Sequence, residues 1–176
     1  MATFEGAVEF KGKPVTLEGG HVEKGKRAPN FRVKPNVSTS VEFEQARGNK
    51  VIILTSAMSV DTSVCADQLS EFDRRATEIN DADIDIWFIT RDLPFALDRA
   101  VEERDIQKVN VYSDYQFREF GDNYGLTIRD FDLLARSAMV VDKKGNVVYK
   151  EVVSEATDEP DYNAVINAAR TASQTQ

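Results

Sequence analysis

The chain has 176 residues, enough for one domain (1–176) with a real buried core. Thirty acidic against 22 basic residues leave a net charge of −8, which repels phosphate backbones and anionic lipid and argues against nucleic acid or a membrane as partner. No run approaches the ~20 apolar residues of a bilayer span. The opening "MATFEGAVEFKGKPVTLEGG" lacks the order of a secretory signal, so the lone cysteine is expected to work in a reducing cytoplasm.

In chain order, "TFEGAVEF" (3–10) and "PVTLEG" (14–19) predict a hairpin around Gly12. The basic stretch "KGKRAPNFRVK" (24–34) reads as a solvated loop. "VEFEQARG" (41–48) predicts a short helical turn closed by glycine. The apolar run 50–56 is expected to be a strand buried on both faces, and 63–79 carries Leu69, Phe72, Ala76 and Ile79 at helical spacing. A second buried strand follows at 83–90, then a helix at 94–104 opened by Pro94. A third strand covers 108–113 and a short helix 117–125. The runs 133–142 and 146–153 pair around "DKKG" as a hairpin, and 159–172 is the closing helix. Strand–helix alternation implies parallel βαβ units with right-handed crossovers, and the late hairpin adds antiparallel strands. The expected fold class is α/β: a thioredoxin-like, three-layer α/β/α domain with a mixed central sheet and an N-terminal β-hairpin.

Two residues break these patterns. Cys65 follows a strand and enters the first turn of the 63–79 helix, with Asp61 or Thr62 as N-cap. Free backbone N–H groups and the helix dipole favour a thiolate there. Thr62, three residues earlier, can present its hydroxyl to the sulfur or to a substrate oxygen beside it. Yet Cys65 also continues the apolar stripe of Leu69 and Phe72, and a lone cysteine on such a stripe is more often a small core hydrophobe. Arg136 interrupts the apolar or small run "LLARSAMVV" (133–141) and needs an anion, a carboxylate or solvent. His21 is read as a surface residue, and no Cys/His cluster offers a soft metal site.

The segments "SVDTSVCADQLSEFDRRATEI", "TRDLPFALDR", "VYSDYQFREFGDNYGL" and "LLARSAMVVDKKGNVVYKEVVSEATDEPDY", with the opening "FKGKPVTLEG", resemble the bacterial thiol peroxidase branch of the peroxiredoxins. The resemblance runs in order over nearly the whole chain. It implies a thioredoxin-like fold, usually homodimeric. It also implies reduction of hydrogen peroxide and organic hydroperoxides without a metal or organic cofactor. Carried over by position, Cys65 is the peroxidatic cysteine that becomes a sulfenic acid. Thr62 orients the peroxide, and Arg136 stabilises both the thiolate and the charge on the leaving oxygen.

Three positions depart from the family pattern. Met58 stands where the motif has proline, Val101 where a resolving cysteine is usual, and Gln116 where an arginine is common. No intramolecular disulfide can form, so a peroxidase built on this chain runs a one-cysteine cycle with an external reductant, thioredoxin or a low-molecular-weight thiol. The alternative is a redox-sensing or partner-binding relative with little turnover.

Overall fold

The computed structural model describes residues 2–175. Strands β1 (Ala2–Phe10) and β2 (Lys13–Gly19) form the expected hairpin, with Phe10 opposite Lys13. The basic loop departs from expectation. It forms β3 (Arg32–Val33), which pairs with β4 (Val41–Glu42), and it buries Phe31, Val33 and Lys34. Its arginines are paired rather than solvated alone, Arg27 with Glu44 and Arg32 with Glu119. The apolar side chains inside "NFRVK" outweigh its charges, because burying an aromatic ring contributes more than exposing it beside ions.

Helix α1 (Phe43–Arg47) leads to β5 (Val51–Ser56), whose six residues are all buried. Helix α2 (Ser63–Ile79) follows, then β6 (Ile84–Thr90), α3 (Pro94–Glu103), β7 (Asn110–Ser113) and α4 (Glu119–Tyr124). Strands β8 (Thr127–Ile128) and β9 (Leu133–Leu134) precede β10 (Ser137–Val141), β11 (Val147–Val152) and α5 (Tyr162–Gln174).

The central sheet has the order β11-β10-β5-β6-β7. β5, β6 and β7 run parallel, and β10 and β11 add antiparallel. Right-handed crossovers put α2 and α3 on one face. The Phe72 ring of α2 meets the Tyr162 ring of α5 edge-on at 5.1 Å, so α5 shares that layer. Strand alternation turns Trp87 away from Phe88. Trp87 meets Phe31 and Phe43, beside Phe120 and Tyr124 of α4, and this aromatic cluster forms the other layer with α1. The mixed sheet and two helical layers make the thioredoxin-like α/β/α arrangement that the sequence predicts.

One predicted strand is two. The run 133–142 splits at Ala135–Arg136: Leu133–Leu134 pairs with β8 in a four-stranded sheet of order β1-β2-β8-β9, and Ser137–Val141 enters the central sheet. A buried guanidinium fits badly between ladder bonds and apolar neighbours, whereas a corner between sheets lets it point inward. Arg136 is therefore a corner residue, not a strand residue. The N-terminal hairpin is locked to the body where β2 meets α4. Gly125, at φ 67°, would place a Cβ 2.2 Å from the Gly20 carbonyl oxygen, so only glycine fits.

Candidate active site

Parallel β5 and β6 end side by side at Ser56 and Thr90, and Ser137 at the start of antiparallel β10 pairs with Ser56. Carboxyl ends of parallel strands are where α/β proteins place ligands. Helix α2 starts beside this edge. Thr62 is its N-cap, with φ −95° and ψ 144°; its Oγ1 accepts from the Cys65 backbone N–H at 3.3 Å and donates to the Ser59 carbonyl at 3.1 Å. Of the two N-cap candidates, Thr62 takes the place and Asp61 pairs with Arg99 at 2.7 Å.

The structure brings Cys65 and Arg136 together. Arg136 Nη2 lies 3.4 Å from Cys65 Sγ. The rest of the guanidinium is held by neutral oxygens: Nε and Nη2 donate to the Ala156 carbonyl at 3.2 and 2.7 Å, and Nη1 donates to Gln68 Oε1. No carboxylate among these partners neutralises the guanidinium, and its Nη2 faces the sulfur.

The backbone that presents Arg136 is pinned on both sides. Ser56 Oγ donates to the Ala135 carbonyl at 2.8 Å, and the Arg136 carbonyl accepts from Val153 N–H at 2.9 Å. Gln68 is a site residue that sequence reasoning missed. Its Nε2 donates to Thr55 Oγ1 at 2.7 Å and to the Ser56 carbonyl at 3.2 Å. The Thr55 hydroxyl proton is committed to the Ser137 carbonyl at 2.8 Å, so this oxygen can only accept, which fixes the Gln68 amide with its oxygen toward Arg136. The signal was present: a glutamine three residues after Cys65, on the buried stripe of the helix.

Asp92 was also missed. Its carboxylate accepts from Ser59 Oγ at 2.6 Å, Val60 N–H at 2.9 Å and Thr90 Oγ1 at 2.8 Å, tethering the loop between β5 and α2 to the end of β6. That loop leads into the first turn of α2, which carries the thiol. Cys65 has no exposed surface, and Met58 and Val60 are buried above it in sequence, while Asp61, Thr62 and Ser63 are at or near the surface. Thr62 does not direct its hydroxyl at the sulfur; both of its bonds are to backbone groups. Val101 is half-buried in α3, and Gln116 is exposed, accepting from the Tyr115 hydroxyl at 3.4 Å. His21 is exposed beside Glu23. Among the described residues, no three His, Cys, Asp or Glu side chains gather to hold a metal ion, and no helix is long and apolar enough to cross a membrane.

Known proteins share this chain's features along its length. Residues 23–166 match the Redoxin family model. A thiol peroxidase of Bacillus subtilis (strain 168) is 40% identical over 163 residues, covering 93% of this chain and 96% of that protein. The crystal structure of a peroxiredoxin-like protein from Aquifex aeolicus superposes with a TM-score of 0.85 at 32% identity, covering 93% of this chain and 95% of the other. A thiol peroxidase from Chromobacterium violaceum, at 20% identity and a TM-score of 0.83 over 98% and 99% of the two chains, shares the fold. With near-complete coverage in sequence and in structure, the chain belongs to the redoxin family and, within it, to the thiol peroxidases.

Proposed function

We propose that the protein is a thiol-dependent peroxidase acting on hydrogen peroxide and organic hydroperoxides, with Cys65 as nucleophile on one domain spanning residues 1–176. The observation that carries this reading is the 3.4 Å approach of Arg136 Nη2 to Cys65 Sγ at a helix start, with no carboxylate on the guanidinium. The Cys65 thiolate attacks the terminal oxygen of the peroxide. The S–O bond forms as the O–O bond breaks, the leaving oxygen takes a proton, and Cys65 sulfenic acid and water or alcohol result. Arg136 stabilises the charge that grows on the leaving oxygen, as an oxyanion hole does. Thr62 orients the peroxide once its hydroxyl exchanges the Ser59 carbonyl for a substrate oxygen.

With one cysteine in the chain, the cycle closes from outside. A first external thiol condenses with the sulfenic acid, forming a mixed disulfide and releasing water; a second thiol frees Cys65 and leaves as the oxidised disulfide. Thioredoxin and a low-molecular-weight thiol both fit this chemistry. Since the sulfur has no exposed surface, each exchange requires the loop at 57–62 and the first turn of α2 to open. Exposed Leu93 and Phe95, at the start of α3, support a homodimer through that face, and the lone thiol supports a reducing, cytoplasmic setting.

The test is peroxide consumption with dithiothreitol as donor. Wild type should turn over and Cys65→Ser should not; equal rates would eliminate the reading. Full burial of the sulfur favours a second reading, a redox sensor with little turnover. For that protein, brief peroxide exposure gives stoichiometric oxidation of Cys65 and a mixed disulfide with a specific protein, without a catalytic cycle.

A further inference from the structure

The N-terminal hairpin reaches the candidate site through one segment. Residues 153–157 run between β11 and α5, and the Ala156 carbonyl takes two hydrogen bonds from the Arg136 guanidinium. The other side of this segment is held by the hairpin. Glu9 N–H donates to the Ser154 carbonyl at 2.6 Å, and Ala156 N–H donates to the Glu9 carbonyl at 2.8 Å. The hairpin turn is held in return. Lys11 and Gly12 both have positive φ, 52° and 77°, which turns their N–H groups to the same side. Both donate to the Glu155 carboxylate, at 3.0 Å each, one to each oxygen. Thr157 adds its N–H at 3.2 Å and its hydroxyl at 3.0 Å to Oε1.

Glu155 is thus the one side chain that ties the turn, Thr157 and the Ala156 peptide into a unit. It touches neither the sulfur nor the guanidinium. The position of the Ala156 oxygen decides where Nη2 sits, because that oxygen and Gln68 hold the guanidinium like a two-point mount. We propose that Glu155 is a positioning residue for the peroxidase reaction, acting through the Ala156 carbonyl to hold Arg136 against Cys65. This rests on the reading of Cys65 and Arg136 given above. A carboxylate at this position accepts four hydrogen bonds that no neutral side chain of the same size can replace in full. Glu155 ionises more readily than an ordinary glutamate, chiefly because the Gly12 N–H bonds its charged form, so it stays anionic at neutral pH.

The experiment is a double-mutant cycle read at Cys65. The rate of Cys65 oxidation by hydrogen peroxide is followed by quenching and mass spectrometry in four proteins: wild type, Glu155→Ala, Arg136→Met and the double variant. Near-UV circular dichroism from Trp87 serves as the check on folding. Glu155→Ala should slow oxidation about tenfold in the presence of Arg136, and less than about twofold when Arg136 is already methionine. A purely structural role gives the same loss in both backgrounds, or none in either, and overturns the proposal. If Glu155→Ala does not fold, Glu155→Gln carries the same cycle. Failure of that variant to fold also overturns the proposal, since a clamp at a surface turn should not decide folding. Should wild-type Cys65 not react, or Arg136→Met leave its rate unchanged, the reading of the site falls first. Should Arg136→Met slow the reaction while Glu155→Ala acts independently of it, only the clamp falls.

Discussion

Arg91 and Arg136 both bury a guanidinium, and the two are held in opposite ways. Arg91, at the end of β6, reaches Asp114 at 3.2 Å, Asp132 at 3.1 Å and Asp122 at 3.6 Å. Its Nη2 also donates to Thr127 Oγ1 at 2.8 Å, and a Cβ at Gly121 would stand 2.5 Å from that nitrogen. Arg136 is held by a backbone carbonyl, an amide oxygen and sulfur. A cation surrounded by carboxylates has its charge cancelled in place and serves the fold. A cation held by neutral oxygens keeps a field that acts on whatever anion enters beside it. If the proposed function holds, what sets a chemical arginine apart from a structural one here is the charge of the groups around it, not its depth.

The largest expected effect tests the structural half of this contrast. Arg91→Met leaves the Asp114 carboxylate buried without a cation and should cost about 3–5 kcal/mol of stability, measured as the denaturant midpoint. The alkylation rate of Cys65 in the folded fraction should not change. A fall in that rate would show that both arginines serve the thiol.

Arg136→Met should do the reverse. Oxidation of Cys65 by peroxide is expected to slow about 10²–10³-fold, the scale seen for a lost oxyanion donor. The stability loss should stay near 1–3 kcal/mol, from the orphaned oxygens of Gln68 and Ala156. Wild-type oxidation kinetics in this variant would break the comparison.

Gln68→Met keeps the volume but removes the acceptor for Nη1. Stability should fall about 1–3 kcal/mol. Peroxide reactivity should drop about tenfold as the guanidinium loses one of its two mounts. Stopped assays with the folded protein distinguish this from simple unfolding.

Thr62→Val removes the cap of α2 and should lower the melting temperature by the equivalent of about 1 kcal/mol. If Thr62 also orients the peroxide, the variant loses rate at saturating thiol beyond what its stability change explains.

The smallest effect is a pH slope. Burial raises the Asp114 pKa above the ordinary carboxylate value of about 3.9, against the opposing pull of nearby N–H groups and Arg91. Between the two values the folded state binds this proton more tightly than the unfolded chain. This group's contribution to stability therefore increases as pH falls through that window and decreases as pH rises through it. Asp132 acts in the opposite sense and lower in pH, because Arg118 holds its pKa down. Asp114→Asn should flatten the first slope in pH-dependent urea melts and leave the second.

The sequence reading reached the strong local signals. Helix α2 appears over the predicted residues 63–79 because its apolar stripe and capping residue agree. β5 and β6 were legible as continuous apolar runs. Two-residue strands such as β8 and β9 were not, since two residues carry no period; β9 pairs with β8, and the pairing of β8 with β2 is set by contacts more than 100 residues apart. Cys65 and Arg136 each stood out as an exception to an apolar run. Gln68 stood on the same stripe as Cys65 but has no chemistry of its own without Arg136 beside it. Ala156 could not be found at all, because it acts through its carbonyl and every residue has one.

By itself, then, the sequence determined the alternation of buried strands and helices, the helix start just before Cys65, the family and the absence of a second thiol. These are local or compositional properties, decided by side-chain periodicity and by counting. The tertiary structure alone decided that residues 71 positions apart come within 3.4 Å, that the guanidinium meets no carboxylate among the described residues, and that the thiol has no exposed surface. Those depend on which groups share a volume. Charge and burial act through space, and no spacing along the chain encodes what stands across the sheet edge.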